Sequence, residues 1–200
     1  MTLTPLVLAS GNAGKLKEFR ELLAGCGFDV RAQSEFVLSS AEETGLTFVE
    51  NAILKARHAA AHTGLPALAD DSGLEVDALK GRPGIYSARY AGPEAADPDN
   101  NALLLQELAE VPEPARSARY HCVLAFMRHA EDPTPILCHG TWEGRILTAP
   151  QGSGGFGYDP LFFVPELGTS AASLDKDHKN RISHRGKAMA ELLARLQTRP

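Results

Sequence analysis

Two adjacent acids, Asp70 and Asp71, follow the apolar run Ala67-Leu-Ala and precede Ser72-Gly73. The run reads as a buried strand that ends in the two acids. Sheets of α/β proteins bind ligands at the carboxyl ends of their strands. Neighbours on a strand point to opposite faces, so one acid faces a given site while the other orients a neighbour or caps the backbone. A carboxylate in that place can hold Mg²⁺ or take a proton from water. An Asx-turn closing the strand is the purely structural alternative. Glu42-Glu43-Thr44-Gly45 supplies a second carboxylate for a metal, or is a solvated acidic loop, and both Glu42 and Glu43 are open as ligands.

Three further segments carry chemistry. Ser10-Gly11-Asn12-Ala13-Gly14-Lys15 lies between a strand pattern and a helix pattern. Such a turn sets backbone amides and the positive end of a helix toward an anion, and Lys15 adds a charge. It is not a Walker A loop, because its glycines are too close and Leu16 stands where Ser or Thr is needed. Gly152-Ser-Gly-Gly-Phe-Gly-Tyr-Asp159 matches G-x-G-x-x-G in form. Pro150, Pro160 and Pro165 flank it and no helical pattern follows, which excludes the dinucleotide reading. Its Phe156 and Tyr158 offer faces on which a base can stack. Lys179-Asn-Arg-Ile-Ser-His-Arg185 gathers polar and basic groups that end at a helix N-terminus, where cations are unfavourable unless an anionic or carbonyl ligand compensates. His58 and His62 sit i, i+4 but lack the Glu of a zinc-protease helix, and read as solvated. Trp142, Phe162 and Phe163 read as core or interface.

The elements that must position these residues alternate. Leu3–Ala9 reads as a strand. Leu16, Phe19, Leu22 and Leu23 mark a helix that Gly25 and Gly27 end. Thr47 and Glu50 form a capping box for a second helix. Val49, Ile53, Ala56 and Ala60 make its apolar face, Asn51, Lys55, His58 and His62 its polar face. Asp97-Pro98 opens a third helix with Asp97 at the N-cap, and Leu104, Leu105 and Leu108 are its core face. Residues 118–127 and 135–141 read as strands of a long hairpin. Ser183 caps a last helix whose Met189, Leu192, Leu193 and Leu196 face inward. The class is α/β with a mixed sheet.

Composition fits one domain or one domain with lobes, since one domain per ~150 residues is the usual expectation. Of 200 residues, 44% are apolar and 22% charged, which excludes disorder and fibrous structure. A net charge of -5 argues against a general nucleic-acid binder. Three cysteines without a close pair, Cys26, Cys122 and Cys138, fit a reducing cytoplasm better than a disulfide framework. The first residues lack a basic stretch, and their apolar run is too short for a signal or a membrane span.

Six motifs, in order, resemble the inosine triphosphate pyrophosphatases, most of all the bacterial branch. They are Ser-Gly-Asn-Ala-Gly-Lys15; Glu-Glu-Thr-Gly45 before Phe48-Val-Glu-Asn-Ala52; Ala-Asp-Asp-Ser-Gly-Leu74; Pro83-Gly-Ile-Tyr-Ser-Ala-Arg-Tyr90; Gly155-Phe-Gly-Tyr-Asp-Pro160; and Ser183-His-Arg-Gly186. The resemblance implies a single two-lobed domain over residues 1–200, with a long, twisted mixed sheet and the nucleotide in the cleft between lobes. It implies a Mg²⁺-dependent cytoplasmic homodimer that hydrolyses ITP, dITP and XTP to the monophosphate and pyrophosphate. Carried over residue by residue, Ser10, Gly11, Asn12, Ala13, Gly14 and Lys15 hold the phosphates. Asp71 is the catalytic acid–base residue and metal partner, with Glu43 the second metal carboxylate. Lys55, Ser72, Phe156, Gly157, Tyr158, Asp159, Lys179, His184 and Arg185 complete the nucleotide site. Arg185 has only donors and His184 can present one, which suits the 6-carbonyl of hypoxanthine or xanthine and not the amino group of adenine. Two other readings compete. A regulatory module that binds a triphosphate without cleaving it has no need of Asp71 with Glu43. An enzyme for modified pyrimidine triphosphates lacks a base reader like Ser183-His-Arg185.

Overall fold

The computed structural model describes residues 3–36 and 41–197. In chain order the elements are β1 (Thr4–Leu8), α1 (Ala13–Leu22), β2 (Phe28–Ala32), α2 (Phe48–Thr63), β3 (Ala67–Val76) and α3 (Asp97–Glu107). They continue with β4 (Ser117–Met127), β5 (Ile136–Ile146), β6 (Phe162–Val164), β7 (Thr169–Ser170), α4 (Lys176–Ile182) and α5 (His184–Gln197). One seven-stranded sheet has the order β2-β1-β3-β4-β5-β6-β7. It is mixed: β1 pairs in parallel with β2 and β3, whereas β6 pairs antiparallel with β5 and β7. β4 and β5 are neighbours joined by one loop, as the hairpin reading expects, and both run further than the pattern suggests.

The chain separates into two compact units. One comprises residues 1–71, 122–140 and 185–200, the other 72–121 and 141–184. In the first unit the inner strands β1, β3 and β4 pack on both faces, which is why β1 reads as an unbroken apolar run. Leu6, Leu8, Leu68 and Leu124 pack with Phe19 of α1 and with Met189 and Leu192 of α5. Their strand neighbours Val7, Ala9, Ala67, Ala69 and Val123 pack on the other face, against Ala52, Ala56, Ala59 and Ala60 of α2. In the second unit, Leu74, Val76, Ala118, Tyr120, Trp142 and Phe162 form the core with Leu104 of α3 and Leu108, its C-cap. Trp142 and Phe162 are therefore core, as expected.

The structure departs from the sequence reading at four places. β3 does not end at the acids but continues to Val76, so Asp70 and Asp71 lie inside a strand. The buried face of α2 is turned from the expected one: Ala52, Ala56, Ala59 and Ala60 are buried with Asn51, whereas Val49 is 37% exposed. Asn51 thus leaves the solvated face on which the pattern puts it. At α3 the N-cap is Ala96 rather than Asp97, because Asp99 Oδ2 accepts the Ala96 N–H at 2.9 Å and supplies the cap from inside the helix. Finally, the polar run at 179–185 begins within α4, whose N-cap is Asp175. Ser183 is the extended residue that joins α4 to α5.

Candidate active site

β1 delivers the first segment. Ser10 Oγ accepts the Asn12 N–H at 3.3 Å. Asn12 caps α1, its Oδ1 accepting the Lys15 N–H at 3.0 Å. Ala13 and Gly14 occupy the first turn of α1, where N–H groups have no partner within the helix, a geometry that suits an anion. Lys15 does not point to solvent. Its Nζ lies 2.7 Å from Asp70 Oδ2, and Asp70 is 1% exposed. Gly11 is exposed and Gly14 half-buried.

The alternation of β3 sorts the two acids. Asp70 shares the face of Leu68, toward α1 and α5, and Asp71 that of Ala69, toward α2. Lys55 Nζ stands 2.7 Å from Asp71 Oδ1 and 3.0 Å from Glu43 Oε1. Asn51 Nδ2 donates to Asp71 Oδ2 at 3.4 Å, and its Oδ1 accepts the Gly45 N–H at 2.9 Å. One buried amide thereby ties the acidic loop to the strand. Gly45 has no room for a side chain, since a Cβ would lie 2.6 Å from the Glu50 Cβ. Glu42 is exposed, whereas Glu43 is half-buried beside Lys55.

These contacts drive the two neighbouring carboxyls apart. Burial raises the pKa of Asp70, but the charges of Lys15, Lys55 and Arg185 overcome it and hold the acid far below the carboxylate range. For Asp71 burial prevails over Lys55, and its pKa is raised. Burial also opposes the charge on Lys55, yet Asp70 and Asp71 outweigh it and the lysine pKa rises. Both members of the Lys55–Asp71 pair move upward because the lysine serves three acids, while burial of Asp71 outweighs the pull of Lys55 and Glu43 adds a smaller repulsion. A pair of carboxyls whose environments separate their affinities for a proton is the usual mark of divided acid–base roles.

The donor set can be tested against a divalent cation. Glu43 and Asp71 converge on one ammonium at 3.0 and 2.7 Å, so their oxygens already share a point of positive charge. Among the described residues no group of three or more His, Cys, Asp or Glu side chains gathers at one point. Two carboxylates fit Mg²⁺, which keeps its other positions for water and substrate phosphate oxygens.

The second unit carries the aromatic loop. Gly155 (φ +73) allows Asp159 to fold back, since a Cβ there would lie 2.0 Å from Asp159 Oδ2. That oxygen accepts the Phe156 N–H at 2.9 Å and takes Lys179 Nζ at 2.5 Å. Lys179 Nζ lies 5.2 Å from the Phe156 ring centroid, a cation–π distance. Phe156 is half-buried. Tyr158 offers no face for stacking: it is 3% exposed within the core, and its hydroxyl donates to Ser87 O at 2.8 Å. His184 is 2% exposed and stacks on Tyr120, with ring centroids 4.6 Å apart at 11°. Ser72 is half-buried on β3.

Arg185 opens the return to the first unit. Its Nη1 lies 2.6 Å from Glu18 Oε2 on α1, both side chains buried. Burial opposes its charge, but Glu18 and Asp70 prevail and its pKa is raised. The sequence reading places Arg185 against a base; here its nearest charges are Glu18 and Asp70. It also misses Asn51 and Glu18. The spacing Lys15–Glu18, one helical turn on α1, the spacing Asn51–Lys55, one turn on α2, and the place of Asn51 in Phe48-Val-Glu-Asn-Ala52 are local signals for them.

The molecule is thus a mixed-sheet α/β protein whose first helix opens on a capped turn, with two adjacent buried acids paired to lysines. The chain is a member of the Ham1 family, whose model matches residues 6–195. It is 62% identical over 192 residues to the dITP/XTP pyrophosphatase of Vibrio cholerae, covering 96% of each chain. It is 60% identical over 192 residues to the dITP/XTP pyrophosphatase of Shigella flexneri, covering 96% of this chain and 98% of the relative. Among solved structures, a HAM1 protein from Coxiella burnetii matches with a TM-score of 0.91 at 50% identity, covering 98% of this chain and all of that one. A dITP/XTP pyrophosphatase from Mycobacterium abscessus matches with a TM-score of 0.74 at 39% identity, covering 95% and 99%.

Proposed function

We propose that this protein hydrolyses the non-standard purine triphosphates ITP, dITP and XTP to the nucleoside monophosphate and pyrophosphate. The observation that carries the reading is the adjacent pair Asp70–Asp71, one carboxyl held ionised and the other raised in pKa beside a shared lysine. The names of the relatives support the substrate class.

Asp71 accepts the proton of the attacking water, the role its raised pKa suits. Asp70 remains an anion and holds Lys15, and its charge sustains that of Lys55. Lys15 and Lys55 then neutralise charge on the departing pyrophosphate, aided by the amides at the start of α1. Glu43 and Asp71 would hold Mg²⁺, which when bound neutralises phosphate charge. Phe156 offers the stacking face for the purine, and the Asp159–Lys179 pair fixes the loop that carries it. His184 and Arg185 supply donors to the 6-carbonyl. The protein works as a cytoplasmic homodimer; its cysteines are free thiols, which accords with a reducing compartment. No described helix is long and apolar enough to cross a membrane.

The test is pyrophosphate release from ITP, dITP, XTP, ATP and dGTP, with and without Mg²⁺. Rapid, Mg²⁺-dependent release from the first three is expected. Binding of ITP without release of pyrophosphate would instead establish a non-hydrolysing binder.

A further inference from the structure

α3 touches the aromatic loop through two side chains one helical turn apart. Asp97 Oδ2 accepts the Gly157 N–H at 2.6 Å, and Asn101 Nδ2 donates to Gly157 O at 2.9 Å. The N–H belongs to the peptide that follows Phe156, the carbonyl to the peptide that precedes Tyr158. One helix face thus fixes both peptide planes around Gly157, whose φ is +63°. On its other side Phe156 is fixed through its own N–H by Asp159. The backbone that carries the ring is therefore held from both directions, while the ring itself stays half-buried.

The clamp serves the loop and not the helix. α3 takes its cap from Ala96 and Asp99 and its packing from Leu104 and Leu108. Asp97 is exposed, so it is not a buried charge in need of a partner. A loop with glycines at positions 152, 154, 155 and 157 is costly to order, because glycine loses more backbone freedom than any other residue. A stacking face adds most affinity when that ordering is complete before the ligand arrives.

We infer that Asp97 and Asn101 are positioning residues for nucleobase recognition, holding Phe156 ready for the purine ring. The inference rests on the proposed function, in which Phe156 meets the base. It separates the base end of the ligand from the polyphosphate end: loosening the clamp weakens recognition of every purine and leaves phosphate binding intact.

The experiment uses the full chain with Mg²⁺ and the variants Asp97→Ala, Asn101→Ala and Asp97→Asn. Steady-state hydrolysis of ITP reports KM and kcat, and inorganic tripolyphosphate serves as a competitor without a base. Each alanine variant should raise KM for ITP on the order of tenfold, the worth of one charge-assisted or well-made hydrogen bond. kcat should change far less, and the inhibition constant of tripolyphosphate should stay at the wild-type value. Asp97→Asn keeps an acceptor for the Gly157 N–H and should restore KM most of the way. An unchanged KM in both alanine variants overturns the inference. So does a KM that rises together with the tripolyphosphate constant, since that is general loosening of the fold. Failure of the wild type to release pyrophosphate from ITP sinks the proposed function and the clamp with it, whereas unaltered variants of an active wild type sink the clamp alone.

Discussion

Replacing each of the adjacent acids by its amide should separate stability from activity. Asp70 is 1% exposed and lies among Lys15, Lys55 and Arg185. Asp70→Asn removes the anion and leaves these cations to repel one another in a buried place. Breaking one side of a buried ion pair costs about 3–5 kcal/mol. For a chain of this size each kcal/mol shifts Tm by about 2–4 °C, so a fall of about 6–20 °C is expected. Asp71→Asn acts the other way. Its pKa is raised in the fold, so the ionised form is less at home there than in the unfolded chain. A neutral amide relieves that penalty, and Lys55 retains Glu43 at 3.0 Å and the charge of Asp70. Stability should hold or rise, while turnover falls by about 10²–10⁴-fold through loss of the proton acceptor. The depressed pKa of Asp70 also sets a sign with pH. Its contribution is present above the ordinary carboxylate value of about 4 and is lost as pH falls below it, so Asp70→Asn should flatten the acid limb of Tm against pH. Thermal unfolding and pyrophosphate release on the same preparations decide the matter. Turnover of Asp71→Asn within a few-fold of wild type, or an Asp70→Asn variant as stable as wild type, refutes the division of roles.

Lys15→Ala should raise the substrate requirement for ITP and ATP by the same factor, because a phosphate contact is blind to the base; unequal factors in steady-state kinetics would reassign it. His184→Ala and Arg185→Ala should collapse the ITP-to-ATP ratio of specificity constants, chiefly through ITP; an unchanged ratio in both variants removes them from base recognition. Asp77 accepts from Arg119 at 2.8 and 2.9 Å and from Ser117 at 2.6 Å, and these bonds hold its pKa at about 2. The group is 45% exposed, so it contributes only about 0.2–1 kcal/mol above pH 4. Asp77→Asn should lower Tm slightly at pH 7, and the difference should vanish as pH approaches 2.

What was legible in the sequence is what is local. The capping box of α2 stands where Thr47 and Glu50 put it, with the hydroxyl and carboxylate 2.7 Å apart. The turn before Lys15 opens a helix, and the two acids fall on opposite faces of a strand. Ser72-Gly73 reads as a stop for β3, whereas pairing in the sheet next to β4 carries the strand on to Val76. α4 escaped notice because it has seven residues and no apolar periodicity. A helical wheel puts Asn51 on the polar face of α2 and cannot reveal that Asp71 stands opposite it on another element. The pairs Lys15–Asp70 and Arg185–Glu18 join residues far apart in the chain, and no local pattern announces them.

The alanines of α2 act as a gauge. Four methyl-sized side chains, each no more than 2% exposed, make the buried apolar contact of this helix with the strands, with Phe48 and Ile53 at its margin. The reach of Lys55 and Asn51 to Asp71 is therefore set by the thinnest spacer that still favours a helix. Leucine or methionine in their place would overpack the layer and carry both groups outward, and glycine would weaken the helix by about 1 kcal/mol per site. The leucine- and methionine-filled face toward α1 and α5 can exchange volumes among its members at little cost. Drift in sequence should thus be tolerated behind Asp70 and resisted behind Asp71, even at positions that touch neither acid.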